Sequence, residues 1–182
     1  LEKIHKQAYA KVNFSLSVGS KALGNPPEGS PALGSQVGGA LHPIISHMAK
    51  IHLCDEVELT KLESHALSRY AVVWHEDAPK TSEINWVLTS DLAVKVHRML
   101  EQKVGRTLPV QMKLEKRIPV CSGLGGGSAD AAAMLQGIAE MFQLDVDLYE
   151  IAHALGSDVS FFLCDNHAIV FGTGEHIEPI PA

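Results

Sequence analysis

Residues 119–133 read P-V-C-S-G-L-G-G-G-S-A-D-A-A-A, and this stretch decides how the rest of the chain is read. An alternating segment precedes it, V-Q-M-K-L-E over 110–115, and an alanine-rich segment follows it. The order is therefore strand, glycine turn, helix. Glycines 123, 125, 126 and 127 carry no Cβ, so backbone N–H groups there can approach an anion closely. The start of the helix adds roughly half a positive charge at the same point. Ser128 supplies a hydroxyl at the mouth, for a phosphate oxygen or a metal ion. Two commoner phosphate loops do not fit. A Walker A loop ends in Gly-Lys-Ser/Thr, and no lysine precedes Ser128. A dinucleotide fingerprint needs a second strand that ends in an acid, whereas Asp145 and Asp147 open a helix. A plain connector is a poor account as well, because three consecutive glycines cost backbone entropy that packing rarely demands.

Working outward, Val12, Phe14, Leu16 and Val18 alternate with Lys11, Asn13, Ser15 and Ser17, which predicts a half-buried strand over 9–18. Residues 19–39 are rich in Gly, Pro and Ser and predict a long mobile loop. Ile51, Leu53, Val57 and Leu59 predict strand structure interrupted by a turn around Asp55. Leu92, Val96, Met99 and Leu100 share one helical face over 91–103, with Ser90 as the cap and Gly105 as the stop. A second helix is predicted over 129–142, with Asp130 in its first turn as a structural complement to the dipole. Asp147 and Glu150 form a capping-box pattern for a third helix that stops at Gly156. Residues 161–163 and 167–171 read as short strands. Without strict alternation of strands and helices, the fold class is α+β.

The chain has 182 residues, 46% hydrophobic and 20% charged, which suits a globular domain with a core. The longest apolar runs are five residues, so no membrane span is expected. The net charge is -6 and the basic residues are scattered, which argues against a nucleic-acid partner. Three separated cysteines, Cys54, Cys121 and Cys164, fit reduced thiols in a cytoplasmic setting. His42, His47 and His52 recur every five residues, a spacing that converges on no single metal ion on either helix or strand.

The string G-L-G-G-G-S-A-D-A-A resembles the phosphate-binding motif of the GHMP kinase superfamily. Within it the string most resembles that of one branch, the 4-diphosphocytidyl-2-C-methylerythritol kinases of non-mevalonate isoprenoid synthesis. Four further blocks agree in order: A-K-V-N-F-S-L at 10–16, the segment 42–59, L-G-S-D-V-S-F-F-L at 155–163, and F-G-T-G-E-H-I at 171–177. The resemblance implies a two-layer fold of one sheet and helices. It also implies ATP with Mg2+ as phosphoryl donor and a small-molecule alcohol as acceptor.

Carried over residue by residue, the resemblance puts Asp158 beside the acceptor hydroxyl as base and Lys11 beside Asp158, orienting it and balancing charge. Gly123, Leu124, Gly125, Gly126, Gly127 and Ser128 hold the nucleotide phosphates, and Ser128 also reaches the Mg2+. Asn13 and His42 fall at substrate-contact positions. Taken alone, Lys11 reads as an exposed strand lysine, Asp158 as a loop acid, and Asn13 equally well as a satisfied strand residue. The chain departs from the family at Cys121 and Ser122, where Gly or Ala is usual, and at Leu41, where a tyrosine stacks on the substrate cytosine. Leu41 keeps open a kinase for another alcohol, homoserine-like or mevalonate-like. A nucleotide-binding domain without turnover is the further alternative. The resemblance also implies that residues 1–182 form an N-terminal, ATP-binding domain without the family's C-terminal domain, with low or absent turnover alone. The oligomeric state is left open.

Overall fold

The computed structural model describes residues 2–19, 43–165 and 167–180. The loop expected over 19–39 thus lies outside the described residues except for Gly19, and so do Leu41 and His42.

The sheet is organised on one long strand. Strand β1 (Lys3–Val18) pairs antiparallel with β2 (Ile44–Lys61) along almost its whole length. On its other edge β2 takes two partners in succession. Strand β5 (Ala168–Gly172) pairs with Ile44–Met48, and β4 (Val110–Lys116) pairs with Glu56–Lys61. Strand β3 (Arg69–Trp74) extends the sheet beyond β4, and β6 (His176–Pro179) extends it beyond β5. Among the described strands only β3 and β4 run parallel, so the chain between them crosses over through helix α1 (Leu92–Val104). Helices α2 (Gly126–Met141), α3 (Leu148–Leu155) and α4 (Ser157–Phe162) complete an α+β, two-layer architecture.

The core lies between the sheet and the helices. Val57 and Leu59 of β2 and Met112 and Leu114 of β4 meet Met134, Leu135 and Ile138 of α2. Each is essentially inaccessible, and each such side chain contributes roughly 1.5–3 kcal/mol of transfer free energy. Helix α2 lies close to the sheet because position 137 is glycine. A Cβ there would stand 2.6 Å from Leu59 Cδ1.

Several elements differ from expectation. Strand β2 does not turn at Asp55. Asp55 is fully buried, stays in register opposite Ala8, and spends its polarity as an internal acceptor. Residues 161–163 are not a strand, since Phe161 and Phe162 belong to α4. A three-residue apolar run fits either structure, and its length does not decide between them. Asp91, not Ser90, caps α1: Asp91 Oδ1 accepts from Ala93 N at 2.9 Å, while Ser90 Oγ donates to Val87 O. Asp130 lies beyond the first turn of α2 and is buried, so it serves an ion pair rather than the helix dipole. Strand β3 has no counterpart in the sequence reading.

Strand β1 holds the most consequential difference. The alternation predicts Phe14, Leu16 and Val18 as the buried face, yet they are 65%, 56% and 60% exposed, while Lys11 is buried at 7%. The β1–β2 register shifts between Tyr9 and Lys11 and again between Asn13 and Ser15. Such irregularities re-aim side chains locally. They bracket the segment Lys11–Asn13.

Candidate active site

The glycine turn leaves β4 at Lys116 and enters α2 at Gly126. Its backbone passes through left-handed conformations at Cys121 (φ 57°), Gly123 (φ 77°) and Gly125 (φ 74°). Gly125 is the N-cap of α2, and no side chain caps the helix. The first helical bond runs from Ala129 N to Gly125 O, so the N–H groups of Gly126, Gly127 and Ser128 stand outside the helix ladder. These residues line a cavity of about 490 Å³, together with Trp86, Leu92, Lys116 and Ile118. N–H donors at a bare helix start, beside an open cavity, form an anion cradle.

Lys11 and Asp158 meet on the other side of the turn. Lys11 N donates to Leu124 O at 2.9 Å, which ties β1 to the middle of the turn. Lys11 Nζ stands 3.5 Å from Asp158 Oδ2 and donates to Asn13 Oδ1 at 2.6 Å. Asn13 Nδ2 donates to Ser46 Oγ at 2.7 Å, and Ser46 Oγ donates to Ser15 O at 2.7 Å. The lysine side chain is 9% exposed and the aspartate 32%, so the acid is the member open to an incoming group. Asp158 sits in the first turn of α4, whose other end is held by Lys50 Nζ donating to Phe162 O at 3.2 Å. Burial lowers the Lys50 pKa below its ordinary value.

Gly125 joins the two halves. A Cβ at this position would lie 2.8 Å from Phe162 Cζ and 3.1 Å from Lys11 Cγ. Only glycine combines the left-handed backbone with packing against both the lysine and α4.

A buried ionic cluster, which the sequence reading did not find, holds both ends of the turn. Lys116 Nζ lies 2.6 Å from Asp55 Oδ2 and 2.6 Å from Asp130 Oδ2. Asp55 Oδ1 also accepts from Arg117 N and from Ile118 N, the latter at 2.7 Å. The chain is thus pinned just before the turn, at 117–118, and just after it, at 130. Burial holds the Asp130 carboxyl well above its ordinary value, against the opposing pull of Lys116. Burial alone would lower Lys116, but the two carboxylates outweigh it and raise its pKa. Two carboxylates on one buried ammonium are neutral overall when one of them keeps its proton. The signal was available in the strand period. Lys116 follows Val110, Met112 and Leu114 on the inward face of β4, and Asp55 precedes Val57 and Leu59 on that of β2. Charges at inward positions call for partners of opposite sign.

The structure thus brings together Lys11, Asn13, Asp158 and the turn 123–128, and His42 lies outside the described residues. Among the described residues, no group of three or more His, Cys, Asp or Glu could hold a metal ion.

Comparison with known proteins bears on the fold and the family. Residues 91–166 match the family model of the GHMP kinases N terminal domain. A crystal structure of 4-(cytidine 5'-diphospho)-2C-methyl-D-erythritol kinase superposes with a TM-score of 0.71 at 28% identity, covering 97% of this chain. The chain carries a GHMP kinases N terminal domain. Among curated relatives of this GHMP domain, the 4-diphosphocytidyl-2-C-methyl-D-erythritol kinase of Bacillus cereus (strain B4264) is 34% identical over 181 residues, 98% of the chain. The protein of the same name from Delftia acidovorans is 46% identical over 93 residues, 50% of this chain and 32% of its own length. The GHMP chain spans 54% of the Bacillus protein and 55% of the crystal chain, about half of each. No described helix is long and apolar enough to cross a membrane.

Proposed function

We propose that the protein carrying this domain transfers the γ-phosphoryl group of ATP to the 2-hydroxyl of 4-diphosphocytidyl-2-C-methyl-D-erythritol, in the cytoplasm, as a step of non-mevalonate isoprenoid synthesis. One observation carries the reading. The Lys11–Asp158 pair is tied through Leu124 and Gly125 to the same turn whose N–H groups line the cavity. A phosphate cradle and an acid–ammonium pair therefore share one backbone segment. Phosphoryl transfer needs mainly positioning and charge stabilisation, and this arrangement supplies both.

In this reading Asp158 takes the proton of the acceptor hydroxyl as its oxygen bonds to phosphorus and the bond from phosphorus to the ADP oxygen breaks. Lys11 offsets the charge at that point and, through Asn13, keeps a fixed direction. Gly123, Leu124, Gly125, Gly126 and Gly127 hold the phosphates by backbone N–H groups. Mg2+ fits as an ion carried in on the phosphates, with the Ser128 hydroxyl as its protein contact, because Asp130 is committed to Lys116. Asn13 is assigned to the acceptor side of the site, and the family resemblance assigns His42 the same role.

Leu41 favours a second reading, in which the ATP side is unchanged and the alcohol differs. A panel of alcohols with labelled ATP separates the two. Label on the cytidine diphosphate substrate supports the proposal. Label only on homoserine or mevalonate contradicts it, and binding of ATP with no transfer to any alcohol points to a domain without turnover.

A further inference from the structure

Ser46 of β2 is a fully buried polar residue, and among the described residues its hydroxyl bonds Asn13 and Ser15. It stands opposite Leu16 in the β1–β2 register, next to the irregularity between Asn13 and Ser15. A bulge disrupts the ladder locally, and the Ser15 carbonyl there accepts from Ser46 Oγ at 2.7 Å. A serine hydroxyl has one proton to give. With that proton on Ser15 O, Ser46 Oγ can only accept from any other group. Asn13 must therefore turn Nδ2 toward Ser46, as it does at 2.7 Å, and Oδ1 toward Lys11. The opposite turn of the amide would set Oδ1 against the hydroxyl lone pairs and an N–H against an ammonium. Only one orientation satisfies both neighbours.

Lys11 Nζ lies 2.6 Å from Asn13 Oδ1 but 3.5 Å from Asp158 Oδ2. The neutral amide, not the acid, makes the shorter contact and sets where the ammonium stands. Each donor along Lys11, Asn13, Ser46 and the Ser15 carbonyl points away from the lysine, so each link polarises the next in one sense. An ammonium released by the amide is drawn onto the nearby carboxylate. Asp158 is then engaged before an acceptor hydroxyl arrives.

We propose that Ser46 is a positioning residue for phosphoryl transfer, fixing the Asn13 amide so that Lys11 is held beside Asp158 without closing on it. This rests on the reading of Lys11 and Asp158 as the transfer pair. Ser46 itself acts only through Asn13.

The test uses the protein carrying this domain, with ATP and 4-diphosphocytidyl-2-C-methyl-D-erythritol, and reads kcat and KM separately. Ser46→Ala is expected to lower kcat about tenfold, near the effect of one hydrogen bond, with the KM for ATP unchanged. Ser46→Thr keeps a hydroxyl and should recover most of the rate. Should Ser46→Ala fail to fold, Ser46→Cys takes its place, with similar volume and only a weak donor and acceptor. A merely structural serine would not depend on Asn13. Added to Asn13→Ala, Ser46→Ala should therefore lower kcat by less than about twofold more. A full rate in Ser46→Ala, or losses that multiply in the double variant, overturns the positioning role and leaves the kinase reading standing.

A second measurement needs no turnover. In the same protein, NMR should show slow solvent exchange of the Asn13 side-chain amide, faster by about tenfold in Ser46→Ala or Ser46→Cys. Equal exchange in both proteins overturns the anchor, whatever the transfer rate. No transfer from the unsubstituted protein to any alcohol, with the exchange difference intact, overturns the kinase reading and the positioning role with it.

Discussion

Lys11 Nζ and Asp158 Oδ2, from segments far apart in the chain, form a salt bridge at 3.5 Å beside the glycine turn. The lysine comes from an irregular part of β1 and the acid from the first turn of α4. Gly125 lies against both elements, where a Cβ would meet Lys11 Cγ and the Phe162 ring. The relation is thus built by three separate segments, and each can be perturbed alone.

Replacing Lys11 with alanine removes the charge next to the acid and leaves Asn13 without its donor. Transfer is expected to fall by roughly 10²–10³-fold, the usual cost of losing one preorganised charge-stabilising donor. Lys11→Arg should not restore it, because the compact ammonium reaches Asn13 Oδ1 at 2.6 Å and a planar guanidinium does not fit that space. Single-turnover transfer rates of the two variants check this.

Gly125→Ala tests the turn. The new Cβ would sit 2.8 Å from Phe162 Cζ on a backbone with φ 74°. The left-handed conformation alone costs about 1–2 kcal/mol for a residue with a Cβ. The expected result is a lower denaturation midpoint together with weaker nucleotide binding. A variant with normal affinity would show that the turn does not need this packing.

Lys116→Met leaves Asp55 and Asp130 buried without their shared cation. Removing one partner of a buried ion pair costs roughly 3–5 kcal/mol, so urea denaturation should show a large loss. Asp130→Asn should behave differently. Burial raises the Asp130 pKa well above 3.8, so the folded state keeps a proton that the unfolded chain releases. Stability on this account falls as pH rises from about that ordinary value toward the folded pKa. An amide cannot ionise, so the variant should lose this part of the slope.

His97 predicts the opposite sign. It is fully buried, with Nε2 2.8 Å from Leu108 O and Nδ1 2.7 Å from the Tyr70 hydroxyl. Burial lowers its pKa below 6.5, so the neutral ring is the folded form, donating through Nε2–H and accepting from Tyr70. Its contribution is complete above that value and is lost as pH falls toward the lowered folded pKa. Denaturation midpoints measured from neutral to mildly acidic pH should fall, and the fall should be smaller in His97→Gln.

These residues also mark how far the sequence could be read. The turn and α2 were legible because glycine, alanine and strand alternation each act locally. Helices α1 and α3 followed for the same reason, with Asp147 capping α3 through Tyr149 N and Glu150 N as its pattern implies. Half of that capping box is missing, because Glu150 binds Lys103 instead. Strand β1 was legible as a strand but not in its facing, since the register shifts around Lys11 arise only in pairing with β2. Asp55 looked like a turn residue because its partners, Lys116 and the N–H groups of Arg117 and Ile118, lie far along the chain. Trp86 carried no periodic signal at all. Its place follows from the bond to Asp91, which exists only once α1 has formed.

The central claim is that Asp158 acts on the acceptor hydroxyl next to a phosphate cradle made by the glycine turn. The most direct measurement is transfer of labelled γ-phosphate from ATP to 4-diphosphocytidyl-2-C-methyl-D-erythritol by the protein carrying this domain, comparing Asp158 with Asp158→Asn. The account predicts labelled product from the unsubstituted protein, a fall of roughly a hundredfold or more in the variant, and unchanged ATP binding. An unaltered transfer rate in Asp158→Asn would contradict it.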